Sequence, residues 1–196
     1  MTLTIASIRD SFVVLAGDGL WTPSGDDERK TLWCSSCPLA CTVSGCRVIP
    51  QIKGILDTII TINEGTFNHI ADQLSATLEP ILKSMPGTHV GCHVALVSND
   101  KAELGWVRVG HGRERIPPPD GWLRQVVPDE VNNVVEPLLG AVHSAHVNHA
   151  EHLADLMLCV VNGAIAQDRR QHQGAHIGGT ANAVIVTKGS ARPYPA

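Results

Sequence analysis

The sequence predicts an α+β fold, predominantly helical, with long amphipathic helices packed on a small antiparallel β-sheet and a Cys-rich loop module near the N-terminus. Three observations predict it. From Val135 through Leu139, Val142, His146, His149, Leu153 and Leu156 to Val160 the steps are 4, 3, 4, 3, 4, 3, 4, a sustained heptad seam. Between Val90 and Leu96 the apolar period drops to two, as a strand requires. Between Cys34 and Cys46 four cysteines crowd a segment rich in Ser, Gly and Pro.

Taken in order, Leu3, Ile5, Ile8, Phe12 and Leu15 fall largely at three- and four-residue steps and read as an amphipathic N-terminal helix stopped by Gly17 and Gly19. Trp21 to Arg47 has no sustained period and reads as a loop-built module. From Gln51 to Met85 helical periodicity returns, with Thr66 placed to cap a second helix and Pro80 inside it. Residues 90–109 read as a β-hairpin turning at Ser98-Asn99-Asp100-Lys101, and residues 110–121 as a loop stiffened by three prolines. The second helical region runs from Asp129 to about Gln171, with Pro137 as a kink or late start. Gly174 to Thr180 forms a glycine-rich loop, and Ala183 to Thr187 a third strand. The expected organisation is an N-terminal helix over 1–20, the Cys-rich module over 21–50 and a helical and β-hairpin main domain over 51–196, together one compact domain.

Composition excludes several classes. A chain of 196 residues that is 43% hydrophobic and 17% charged buries a core and is not disordered. Only 4% is aromatic, so Val, Ile, Leu and Ala build that core. The net charge of -4 is evenly spread, with no basic stripe to displace counterions, and no nucleic-acid partner is expected. Leu153 to Ala166 contains Asp155, Asn162 and Gly163 and falls short of the ~20 apolar residues of a membrane span. With no recognisable secretory signal, the expected location is the cytoplasm or the inside of an assembled particle.

The most specific chemistry lies in Cys34, Cys37, Cys41 and Cys46, spaced C-x2-C-x3-C-x4-C. Four thiolates saturate a tetrahedral Zn site, the first expectation, or an Fe–S cluster. Disulfides would staple the same loop in an oxidising setting. Cys92 and Cys159 read as buried small hydrophobes. His143, His146, His149 and His152 recur every third residue and read first as facing solvent or a polar crevice, hydrogen-bonded to Glu151, Asp155 or Asn148. The alternative is that His146 and His149, which fall on the heptad seam, meet imidazoles of other chains in a polar or metal-binding layer. His89, His93 and His111 read as surface residues.

No G-x-S-x-G elbow, phosphate-binding glycine loop or H-E-x-x-H occurs. Gly17-Asp18-Gly19 reads as a turn, and Asp26 to Lys30 as a solvated charge run. No catalytic or cofactor-binding residues are assigned. The expected function is therefore a non-enzymatic structural or assembly subunit of a larger complex such as a virion, shell or multi-protein assembly, self-associating as a homo-oligomer through its helices. The alternative is a Zn or Fe–S metalloprotein with redox or small-molecule chemistry.

Overall fold

The computed structural model describes residues 2–21, 26–27, 29–44, 58, 66–85, 87–116, 121–126, 129–173 and 177–195. Its strands are β1 (Leu3–Ile8), β2 (Val13–Gly17), β3 (Leu20–Trp21), β4 (Asp26–Asp27), β5 (Thr31–Trp33), β6 (Leu39–Thr42), β7 (Gly91–Ser98), β8 (Lys101–Arg108), β9 (Gly112–Ile116), β10 (Trp122–Val126), β11 (Asn182–Thr187) and β12 (Ser190–Tyr194). Its helices are α1 (Phe67–Lys83), α2 (Asp129–Ser144) and α3 (Ala150–His172). They build two five-stranded antiparallel sheets, ordered β10-β1-β2-β11-β12 and β5-β6-β7-β8-β9, beside a small β3-β4 ribbon.

The sheets stack face to face, and helices close both outer faces. Alternation along each strand sends side chains to two different layers. Leu3, Ile5, Val14, Ala16 and Ile185 meet α2 and α3 on the outside of the first sheet. Cys92, Val94 and Leu96 meet Phe67, Ile70 and Leu74 of α1 on the outside of the second. Ala6, Ile8, Leu15, Val97 and Val184 fill the space between the sheets.

This arrangement corrects the predominantly helical expectation: helix and strand are present in roughly equal amount, and the single small sheet of three strands is two sheets of five. The N-terminal helix is a hairpin, β1 paired with β2 from Thr4↔Gly17 to Ile8↔Val13. Both faces of these strands are buried, so nearly every position is apolar and a helical spacing appears within a continuous apolar run. The Cys-rich loop module contributes β5 and β6 to the second sheet. The loop expected over 110–121 holds β9, and the C-terminal tail holds β12.

The heptad seam belongs to two helices. Val135, Leu139 and Val142 of α2 and Leu153 and Val160 of α3 are buried against the first sheet, so the seam closes an internal core instead of an axis between chains. It breaks at His146, whose φ of 46° ends the α2 ladder. Arg9 fastens this break to the end of β1, donating from Nε to the Val147 carbonyl at 3.2 Å. Pro137 lies inside α2, which starts eight residues earlier.

Other elements follow the sequence. Asn99 and Asp100 take φ values of 48° and 62°, the left-handed pair a two-residue hairpin turn requires, and join β7 to β8 in full register. Thr66 caps α1, its hydroxyl accepting from the His69 N–H. Gly105 fixes how closely α1 settles, since a Cβ there would meet the Phe67 ring at 2.4 Å and the Glu114 carbonyl at 2.5 Å. Most of 51–65 lies outside the described residues.

Candidate active site

The layer between the sheets is apolar at one end and polar at the other. At the polar end Thr2, Thr4, Asp18, Lys30, Thr31, Thr42, His93 and Asn182 are all buried. A charge is held without access to water only when paired and hydrogen-bonded. Lys30 Nζ stands 2.7 Å from Asp18 Oδ1, with both side chains fully buried.

The surrounding backbone explains how this pair is held. Asp18 leaves β2 at Gly17 and exchanges two hydrogen bonds with β1: its N–H donates to the Leu3 carbonyl at 3.1 Å, and its Oδ1 accepts from the Leu3 N–H at 2.9 Å. Oδ2 accepts from the Gly178 N–H at 3.2 Å, which brings in the loop after α3. Gly19 donates to the Gly178 carbonyl, and Asp168 near the end of α3 accepts from the Ile177 N–H, so that loop is pinned from both sides. Gly17 lets β2 lie close to β1 here: a Cβ built there would stand a tight 3.2 Å from the Leu3 carbonyl, and at ordinary contact distance, 3.7 Å, from Lys30 Cβ. One carboxylate oxygen thus touches both the Lys30 ammonium and the backbone N–H of Leu3, the residue that follows the buried Thr2.

Burial pushes the Lys30 ammonium below its ordinary range, against the opposing pull of Asp18. A lysine so placed exchanges a proton more readily than a solvated one and supplies a fixed positive charge. His93, on β7 in the same layer, is pushed down to about 4 by burial. Its backbone N–H donates to Thr42 Oγ1, and its Nδ1 has no hydrogen-bond partner. Thr31 ties the two sheets together at this end, donating to Asn182 Oδ1 at 2.7 Å.

The residues singled out from sequence lie elsewhere. Cys34 and Cys37 are joined by a disulfide at the tip of the β5-β6 hairpin. Cys41 is buried on β6 in the same apolar layer, and Cys46 lies outside the described residues. His146 and His149 are exposed in and beside the turn between α2 and α3, His149 as the residue before α3. Among the described residues no three His, Cys, Asp or Glu side chains stand close enough to share a metal ion. Cys159 is exposed and His93 buried, each the reverse of its sequence reading.

Known structures share this architecture. The Anbu (Gly-1) mutant from Hyphomicrobium sp. strain MC1 superposes with a TM-score of 0.70 at 10% identity, over 98% of this chain and 85% of that one. Anbu (ancestral beta-subunit) from Yersinia bercovieri superposes with a TM-score of 0.72 at 10% identity, over 98% of this chain and 86% of that one. The fold is that of proteasome β-subunits, the Ntn-hydrolase fold. No protein-family model and no curated protein matches the sequence.

Sequence reasoning missed Thr2, Asp18 and Lys30. Asp18 stood in a Gly-Asp-Gly string read as a turn, and Lys30 closed a charge run read as solvated. Flanking apolar strands do not single out Asp18, since Asp10 between β1 and β2 is flanked the same way and is exposed. No helix among the described residues is long and apolar enough to cross a membrane.

Proposed function

We propose that this chain is a hydrolase subunit that cleaves amide bonds with Thr2 as its nucleophile, working within a homo-oligomeric assembly. The observation that carries the reading is the fully buried Lys30–Asp18 pair, held against the backbone just after Thr2. It gains support from the Ntn-hydrolase fold, whose name denotes an N-terminal nucleophile. Cleavage before Thr2 frees an α-amine next to the Thr2 hydroxyl, the pairing of nucleophile and base that a lone threonine otherwise lacks. The Thr2 hydroxyl attacks the substrate carbonyl carbon while its proton passes to the α-amine. The leaving amine takes that proton as the amide C–N bond breaks, and water then hydrolyses the ester left on Thr2.

Lys30 acts on this chemistry as a fixed positive charge. It lowers the proton affinity of the nearby α-amine, keeping it neutral and basic near pH 7. Asp18 holds the lysine and the β1 backbone in register, so that the geometry is preorganised. The assembly expected from sequence enters in coarser form: the fold is shared with a protein described as a beta-subunit, and the internal seam of α2 and α3 leaves other surfaces to make the contacts.

The test is acylation. Intact mass and N-terminal sequencing show whether Thr2 is the first residue, and a peptidyl β-lactone should then add one acyl group on Thr2. Thr2→Ala should lose that adduct and lower turnover of fluorogenic peptide amides by at least about 10³, while Thr2→Ser should retain part of it. Equal turnover by Thr2→Ala, or acylation at another residue, would exclude the mechanism. Light scattering of the same preparation checks assembly, and a monomer at high concentration would remove the homo-oligomer.

A further inference from the structure

Beside the polar end of the sandwich a cleft of about 280 Å³ opens between Arg29, Thr180, Ala181, Asn182, Tyr194 and Pro195. It lies where the start of β5 in one sheet meets the start of β11 and the end of β12 in the other. Its volume is below the ~300–1,000 Å³ of pockets that enclose whole small molecules, and suits one side chain or a chain end.

The lining determines which kind. Asn182 Oδ1 already accepts from Thr31, and the Asn182 amide donates to the Thr180 carbonyl at 3.1 Å. The Tyr194 hydroxyl is committed to Asp155 at 2.7 Å, a bond that holds the phenol above its ordinary range. The ionic group among the six described lining residues is the Arg29 guanidinium; the carboxylates on the Tyr194 side, Asp155 and Glu151, are engaged with the Tyr194 hydroxyl and Arg192. Arg29 is exposed, and its guanidinium carbon rests 5.4 Å from the centroid of the Trp33 ring. Stacking of one face on an indole limits the motion of the group and leaves its N–H edge available for a planar, bidentate acceptor.

Strand register gives the distance to the strand that the candidate nucleophile precedes. Thr4 pairs with Gly17 and Gly17 with Asn182. At about 4.8 Å per strand, the wall of the cleft lies on the order of 10 Å from β1. An extended peptide covers that span in about three residues.

We propose that this cleft receives a carboxylate of a peptide, carried by an acidic side chain or by a free C-terminus, about three residues from the bond cleaved at Thr2. The assignment to substrate rests on the hydrolase reading above, whereas the affinity for a carboxylate rests on Arg29 alone. The test therefore uses full-length Thr2→Ala protein, in which binding is read without turnover. Calorimetry compares three otherwise identical hexapeptides: one with Glu and an amidated C-terminus, one with Gln and an amidated C-terminus, and one with Gln and a free C-terminus. At least one carboxylate peptide should bind about tenfold tighter than the neutral one, the effect of one charge-assisted pair. Adding Arg29→Gln should erase the difference, and Arg29→Lys should restore part of it. Preference for the Glu peptide assigns the cleft to an acidic side chain, and preference for the free acid assigns it to a chain end. Equal binding of all three peptides, or a preference that survives Arg29→Gln, would overturn the proposal. Failure of Thr2 acylation with the carboxylate preference intact would reject the hydrolase reading and the cleft's role in substrate binding, but not its carboxylate site.

Discussion

Acid should destabilise this protein through one buried imidazole. His93 lies between the sheets on β7, only 4% exposed, with Nδ1 lacking a hydrogen-bond partner. Burial takes it from its ordinary 6.5 to about 4 in the folded chain. The unfolded chain therefore takes up a proton that the folded chain refuses. Stability is complete above pH 6.5, declines as the pH falls and has lost its full increment below about pH 4. The shift of 2.5, from 6.5 to about 4, gives a total of about 3.4 kcal/mol at 1.36 kcal/mol per pH unit. Between pH 7 and pH 5 the loss is about 2 kcal/mol, or roughly 4–8 °C in Tm for a chain of this length. Urea unfolding at half-unit pH steps measures it, with His93→Leu as the comparison, since Leu fills a similar volume and binds no proton. The difference in stability between the two proteins should change by about 2 kcal/mol between pH 7 and pH 5. Parallel pH profiles, or a His93 proton resonance titrating near 6.5, would refute the reasoning.

Three further outcomes follow from the same contacts. Gly105→Ala forces a methyl group against the Phe67 ring and the Glu114 carbonyl, and the carbonyl cannot yield without moving β9, so thermal unfolding should register a loss of about 2–3 kcal/mol. Lys30→Met leaves the buried Asp18 carboxylate with the Leu3 and Gly178 N–H groups as partners, and urea unfolding should show a loss near the lower end of the ~3–5 kcal/mol range for breaking a buried pair. The zinc expectation for Cys34, Cys37, Cys41 and Cys46 applies to reduced protein only, since a disulfide offers no thiolate. Elemental analysis after isolation without reductant should find no zinc on these cysteines, and stoichiometric metal there would exclude the Cys34–Cys37 bond.

Parts of this fold were legible where one local rule acts alone. The β7-β8 hairpin shows because period two and a turn of Asn and Asp agree. The cap at Thr66 shows because a hydroxyl precedes an amphipathic run. The N-terminal hairpin hides because sheet faces covered on both sides erase the alternation that marks a strand. The seam through His146 and His149 misleads for a related reason: α2 and α3 both lay their apolar faces on one sheet, and a left-handed residue between them is invisible to a pattern of side chains. The site is the least legible part. Thr2, Asp18 and Lys30 occupy three separate segments, and what joins them is one carboxylate accepting from a backbone N–H and an ammonium at once.

The order of the first sheet has a consequence for synthesis. β1 and β2 are made before the other strands and pair with each other, yet their remaining sheet partners are β10 and β11, and Val14 pairs with Ile185. The sheet that presents Thr2 and Asp18 therefore closes only once residues up to about 187 are available. The loop that pins Asp18, at Ile177 and Gly178, arrives equally late. Such remote pairings fold slowly, and until they form the N-terminal hairpin is an aliphatic ribbon without cover. A nascent chain that has not yet reached β11, or one truncated before it, then carries the candidate nucleophile without the frame that would arm it, and maturation of the site waits on synthesis of that strand.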